Sequence, residues 1–355
     1  EPVFLHVITR KGKGYKFAEE DPVRFHGVTA FDIATGRTVC KDNGDAKPFT
    51  NYFSEKIMEI GSKDPRIVAI TAAMPDGTGL QTFARKFPDR FFNVGITEPH
   101  AVTFAAGLAR GGMRPIVAIY STFLQRSYDQ LIHDVALQRL PVIFCLDRAG
   151  LVGKDGPTHH GVFDIPYTRS LPGFIVMAPK DGRELGSMME KAVEWNKPVV
   201  IRYPRAGAKR LVGDSSCSPI EIGKAETLRQ GKDLAILAVG SMVNAALLAS
   251  EILSKKGIEA AVVNARFIKP LDKEMLAELT WTAGKIFTIE EGVISGGFGS
   301  AVLEFCEREN INNMKIRCLG LPDEFIEHGA REELLRKYHL TPDEIALTIE
   351  SELKA

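Results

Sequence analysis

FFNVGITEPHAVTFAAGLARGGMRPIVAIYSTF, residues 91–123, is the stretch on which the fold turns. It joins a strand-like run, FFNVGI (91–96), through Thr97 and Glu98 to a helix of small apolar residues. A glycine pair then leads into a second strand-like run, PIVAIY (115–120). Short runs rich in Ile and Val, alternating with helical patterns, imply a parallel sheet covered on both faces.

The alternation continues outward in both directions. RIVAI (66–70), PVIFCL (141–146), FIVMAP (174–179) and PVVIRYP (198–204) are interleaved with helical patterns at 50–62, 99–111, 123–138 and 181–195. After SSCSP (215–219) it restarts with DLAILAVG (233–240), a helix over 243–256, EAAVVNA (259–265) and KIFTIEE (285–291). The expectation is two consecutive open-sheet α/β domains, 48–222 and 223–355. Residues 1–47 hold one buried-strand pattern, VFLHVIT (3–9), then a connector ending in a Gly/Asp/Lys-rich stretch at 41–47.

The 355 residues carry 45 Lys and Arg against 45 Asp and Glu. That balance argues against a surface that follows a nucleic-acid backbone or an anionic membrane, so no nucleic-acid or membrane partner is expected. No apolar run nears the ~20 residues that cross a bilayer, and the start lacks a signal-peptide pattern. The five cysteines form no C-x-x-C pair, so neither a disulfide framework nor a structural zinc site is signalled, and a reducing, cytoplasmic setting fits.

In open parallel sheets, ligands sit beyond the carboxyl ends of the strands. Glu98 follows FFNVGI there, although the helix dipole alone also favours an acid at that position. Tyr120, Phe123 and Arg126 cluster where PIVAIY meets its helix, a place core packing alone would also explain for Phe123. After PVIFCLD comes RAGLVGKDGPTHHG (148–161), a long loop with Arg148, Asp155, His159 and His160 that packing explains poorly. Arg205 ends PVVIRYPR, where its donor fork suits a phosphate or carboxylate.

Together these segments resemble the pyrimidine-binding and C-terminal domains of the transketolase-like, thiamine-diphosphate-dependent enzymes, nearest to the deoxyxylulose-phosphate synthase branch. The motifs that carry the resemblance include FLHVITRKGKGY, KFPDRFFNVGITE, HAVTFAAGLA, STFLQRSYDQ, DRAGLVG, DGPTHHG, RYPR, RFIKPLD and GLPDEFIEHG. The resemblance implies thiamine diphosphate and Mg²⁺ as cofactors, pyruvate and D-glyceraldehyde 3-phosphate as substrates, and a homodimer. It implies contact of Glu98 with N1′ of the aminopyrimidine, stacking of Phe123 on that ring, and Met74 as a further cofactor neighbour. Tyr120 and Arg126 match residues lining the substrate side, and Arg148 and Arg205 the pair that holds the acceptor phosphate. Asp155, His159 and His26 are the candidates for proton transfer.

Two departures stand out. Pro99 takes a position where most of the family has Gln; proline is tolerated at the first helical residue but removes an N–H. The Gly-Asp-Gly motif that holds the diphosphate and metal is absent from residues 1–355, so no metal ligand is assigned here. The expectation is that a diphosphate-binding domain precedes Glu1, with VFLHVIT as its last strand. Two alternatives are the β subunit of a 2-oxo-acid dehydrogenase decarboxylase and a non-catalytic module of the same fold. GGFGS (296–300) is left open between a turn or packing role and an anion site.

Overall fold

A computed structural model describes residues 1–22, 24–26, 28, 30–38, 46–208, 218–311 and 314–354. Cys40, Cys217, residues 41–45 of the Gly/Asp/Lys-rich stretch and residues 215–217 of SSCSP lie outside the described residues. The chain separates into two compact units, Glu1–Asp45 and Ala46–Ala355.

The first unit is small. A five-residue helix, Lys16–Glu20, is followed by an aromatic cluster in which the Tyr15 and Phe25 rings lie 5.5 Å apart and Phe25 and Phe31 5.2 Å apart. The strand expected over 3–9 is not formed, and Val3, Phe4, Leu5, Val7 and Ile8 are exposed. A strand exists only as a paired ladder, and among the described residues none pairs with this run.

In the second unit the strands are β1 (Ile67–Thr71), β2 (Phe91–Asn93), β3 (Arg114–Tyr120), β4 (Ile143–Asp147), β5 (Ile175–Met177) and β6 (Val199–Arg202). They continue with β7 (Glu226–Arg229), β8 (Leu234–Ala238), β9 (Ala260–Asn264), β10 (Phe267–Lys269), β11 (Lys285–Val293) and β12 (Lys315–Leu321). Among the described residues they form a sheet in the order β10-β5-β6-β4-β3-β1-β2 and another in the order β12-β11-β8-β9-β7. Both are parallel apart from one antiparallel edge each, β10 on β5 and β7 on β9. Although β10 comes from the later part of the chain, it closes the edge of the earlier sheet, so the two α/β layers are stitched together rather than merely adjacent.

Strand alternation sorts side chains to two faces. Ile67, Ala69, Ile116 and Ile143 face the helices Phe49–Lys63 and Gly182–Glu194, meeting Phe53, Ile57, Leu185 and Met188. Ile70, Val117, Ile119 and Phe144 face the helix Glu98–Arg110, whose Ala101, Val102 and Ala105 are fully buried. That second core runs on without a break into Leu237 and Val263 of the other sheet.

The helical pattern at 123–138 is not one helix. It is a succession of short helical pieces ending in a π-helical turn, Leu131–Ala136, where Leu137 N–H donates to Ile132 O at 2.9 Å. The extra residue in that turn lets Leu131, Val135 and Ala136 reach the core while Ser127 stays buried, and such turns recur at functional sites.

GGFGS resolves into a helix start whose N–H groups are met from within the chain. The Phe298 and Gly299 N–H groups, at the start of the helix Phe298–Arg308, donate to the buried Glu290 carboxylate at 2.8 Å each.

Candidate active site

The sheet order β6-β4-β3-β1-β2 is the order in which the candidate residues line up. Arg205 follows β6, Arg148 follows β4, Tyr120 ends β3, Met74 follows β1 and Glu98 follows β2, all at the carboxyl ends of parallel strands.

Glu98 is the first residue of its helix and is buried to 3% exposure. Arg126 Nη1 donates to its Oε1 at 2.9 Å, and among the described residues no donor meets Oε2. The Arg126 guanidinium also lies 5.0 Å from the Phe123 ring centroid. Phe123 stacks on Tyr120 at 5.7 Å with an 18° interplanar angle, and the His159 ring meets it edge-on at 5.4 Å.

Tyr120 is held from the other side by Arg148, whose Cζ lies 3.7 Å from its ring centroid. Arg148 takes a left-handed conformation, φ 62°, and its Nη1 donates to Gly77 O at 2.8 Å and to the buried Asp147 at 3.1 Å. Gly77 has to be glycine, because a Cβ there would lie 1.9 Å from the Tyr120 hydroxyl. Burial pushes the Tyr120 hydroxyl up to about 12, with Arg148 and Arg205 opposing. Burial likewise raises the Asp147 carboxyl, against Arg148 and the Thr50 hydroxyl at 2.6 Å.

The loop after β4 is closed at its base by a backbone bridge and tied to later parts of the chain. Gly150 and Gly161 exchange backbone hydrogen bonds of 2.7 and 2.8 Å. His160 is buried; Val152 N–H donates to its Nδ1 at 3.1 Å, so its Nε2–H is the donor to Glu327 O at 3.2 Å. Burial lowers its pKa, which keeps the ring neutral and makes His160 a structural strut. His159 is half-buried beside Phe123, with Nδ1 2.9 Å from the Thr158 hydroxyl. Asp155, at the exposed loop tip, accepts from Arg205 Nη1 at 2.8 Å.

Glu98, Arg126, Phe123, Tyr120, Arg148 and His159 thus form one contact chain, with Arg205 and Asp155 paired beside it. Met74 is half-buried beyond β1, its carbonyl accepting from Thr78 N–H at 3.0 Å. His26 is exposed in the Glu1–Asp45 unit. Among the described residues no group of three or more His, Cys, Asp or Glu is placed to hold a metal ion.

Sequence reasoning missed Asp147, Arg202 and Glu291. Arg202, inside an apolar strand, is buried and its Nε donates to Asp164 at 2.9 Å. The available signal is a charged residue inside the apolar run VVIRYP.

The model of the transketolase pyrimidine binding domain matches residues 46–209, and that of the transketolase C-terminal domain residues 223–345. A solved split gene transketolase, an inactive beta4 tetramer, superposes with a TM-score of 0.78 at 30% identity, covering 87% of this chain and 99% of that one. The chain belongs to the transketolase family. A transketolase from Campylobacter jejuni shares the fold with a TM-score of 0.71 at 19% identity, covering 86% of this chain and 46% of that one.

Among curated transketolase-family relatives, the 1-deoxy-D-xylulose-5-phosphate synthase of Syntrophus aciditrophicus is 53% identical over 99% of this chain and 54% of its own length. That of Gloeobacter violaceus is 52% identical over 99% of this chain and 55% of its own length. The chain therefore spans about half the length of the curated relatives it matches.

Proposed function

We propose that this chain provides the cofactor-activating and acceptor-binding half of a 1-deoxy-D-xylulose-5-phosphate synthase. The reaction is decarboxylation of pyruvate and transfer of its two-carbon unit to D-glyceraldehyde 3-phosphate, feeding isoprenoid and thiamine precursors. The observation that carries the reading is the buried Glu98 carboxyl with an unmet oxygen, at one end of a row that finishes in Arg148 and Arg205.

The residues present fit the aminopyrimidine end of thiamine diphosphate. Glu98 Oε2 is available to a ring nitrogen donor, Phe123 offers an aromatic face and Met74 lies on the neighbouring strand end. When bound, that cofactor supplies the electron sink for decarboxylation. The described residues do not fit its diphosphate and Mg²⁺, whose ligands we assign to a diphosphate-binding half outside residues 1–355, in the same polypeptide or a separate one.

On this reading Glu98 shares a proton with the ring nitrogen through Oε2, while Arg126 keeps hold of Oε1. Arg148 and Arg205 receive the acceptor phosphate, a geometry suited to planar forks. His159 and Asp155 are the groups available to move protons at the substrate carbons, and His26, in the Glu1–Asp45 unit, stays a candidate on the family resemblance alone. A homodimer in the cytoplasm completes the proposal; no helix among the described residues is long and apolar enough to cross a membrane. The 2-oxo-acid dehydrogenase alternative is not favoured, because relatives matched along nearly the whole chain carry the synthase name.

The test is turnover of pyruvate and D-glyceraldehyde 3-phosphate by the full-length enzyme of this sequence, with thiamine diphosphate and Mg²⁺. Deoxyxylulose phosphate and CO₂ are expected, and Glu98→Ala should abolish both with the fold retained. Near-normal product from that variant would refute the role of Glu98.

A further inference from the structure

The loop that carries Asp155 and His159 is gripped at its base by the later half of the chain, and one side chain gathers the grip. Glu291, near the end of β11, is buried to 2% exposure. Its Oε1 accepts from Leu151 N–H at 2.9 Å and from Arg331 Nε at 3.1 Å. Its Oε2 accepts from the Ser241 hydroxyl at 2.8 Å and from Arg331 Nη2 at 2.5 Å. Its backbone carbonyl accepts from Arg202 Nη2 at 3.0 Å, while Arg202 is fixed to Asp164.

The contact is close enough to dictate sequence. Gly150, at φ +78°, lies against Glu291 so tightly that a Cβ there would stand 2.6 Å from its carboxyl carbon. Two further ties come from the same side: Gly329 N–H to Gly153 O at 3.3 Å, and His160 Nε2 to Glu327 O at 3.2 Å. Leu151, Val152 and Gly153 are thereby held immediately between Arg148, stacked on Tyr120, and Asp155, paired with Arg205.

We propose that Glu291 is a positioning residue for acceptor binding. Through Leu151 it fixes the spacing between Arg148 and the Asp155–His159 tip, and so couples the later sheet to the phosphate end of the site. A buried carboxylate with four donors holds one geometry, whereas a loop anchored only by its own turns would sample several. This inference rests on the acceptor assignment given above.

The test compares Glu291→Ala and Glu291→Gln in the full-length enzyme, with Ser241→Ala as a milder variant should the alanine protein fold poorly. Glu291→Ala should raise KM for D-glyceraldehyde 3-phosphate by about tenfold or more, leaving KM for pyruvate and the thiamine diphosphate Kd within about twofold. Glu291→Gln should recover most of the loss, because its amide oxygen still accepts from Leu151 N–H. Ser241→Ala should shift the same KM by a smaller factor.

Amide exchange at Leu151 and Val152 should quicken in Glu291→Ala and not in Glu291→Gln. Unchanged acceptor KM and unchanged exchange in the alanine and Ser241 variants would overturn the proposal. So would an equal loss of cofactor, pyruvate and acceptor binding that tracks lost folded protein. A wild-type enzyme that makes no deoxyxylulose phosphate would overturn the functional assignment instead, and amide exchange at Leu151 would still decide whether Glu291 holds the loop.

Discussion

Arg126 donates to Glu98 at 2.9 Å across 28 residues of sequence, joining a half-exposed guanidinium to a carboxylate whose side chain is only 4% exposed. The pair ties the irregular helical run after β3 to the helix Glu98–Arg110, and it leaves one carboxylate oxygen for a ligand.

If Arg126 compensates the buried charge, Arg126→Ala should destabilise the chain and Glu98→Gln/Arg126→Ala should lose less than the two single changes added together. The coupling should be on the order of 1 kcal/mol, held down by the solvent around Arg126. Denaturant unfolding of the four proteins measures it, and strict additivity would remove the pair from the account.

Gly77→Ala should be costly for a residue with no catalytic group. Its Cβ would collide with the Tyr120 hydroxyl, and Tyr120 carries Arg148 on its face. Overpacking of this kind costs roughly 1–3 kcal/mol. Chemical denaturation should show that loss and Tyr120→Phe/Gly77→Ala should regain part of it; full stability in Gly77→Ala would mean that the loop yields freely.

Arg148→Lys should behave as a substantial change. Lysine keeps the charge but gives up the planar stack on Tyr120 and the fixed fork toward Gly77 and Asp147. The expected result is a rise in KM for D-glyceraldehyde 3-phosphate of about tenfold or more, with pyruvate KM little changed. Steady-state kinetics with each substrate varied in turn will show it, and an unaltered acceptor KM would remove Arg148 from phosphate binding.

Stability should depend on pH through Glu290. Burial pushes its carboxyl up to about 7, although Phe298 and Gly299 N–H groups oppose the shift. The folded chain therefore holds this proton more tightly than the unfolded chain does. The group's stabilising contribution is complete below the unfolded carboxyl value of about 4.5 and is lost as pH rises through about 7. Glu290→Gln should remove that slope. Unfolding free energies measured between pH 5 and 8 should fall less steeply for the variant than for the wild type, and parallel profiles would contradict the assignment.

How much of this was legible in the sequence depends on where each signal is written. The strands β1, β3, β4, β6, β8, β9 and β11 are buried on both faces and are spelled mainly in apolar residues, with Arg202 ending β6 and Glu290 and Glu291 near the end of β11. The edges β7 and β12 are partly solvated, and β10 has only three residues, so no run marks them. The crossing of β10 into the earlier sheet is a tertiary event that local pattern does not encode. Phe123, Arg126 and Arg148 could be singled out because each lies within a few residues of the end of an apolar run. Glu291 could not, because KIFTIEE reads as a strand with an acidic end; its meaning lies in Leu151, Ser241 and Arg331, all distant in sequence. VFLHVIT shows the reverse failure, a strand spelled in residues with no partner among those described.

On the proposed reading Glu98 activates the cofactor from the end of β2. It is tested most directly by the rate at which the C2 proton of enzyme-bound thiamine diphosphate exchanges with deuterium, followed by acid quench and proton NMR in the full-length enzyme. Fast exchange is expected in the wild type, with a fall of about a hundredfold or more in Glu98→Ala with the cofactor still bound. Equal exchange rates in the two proteins would contradict it.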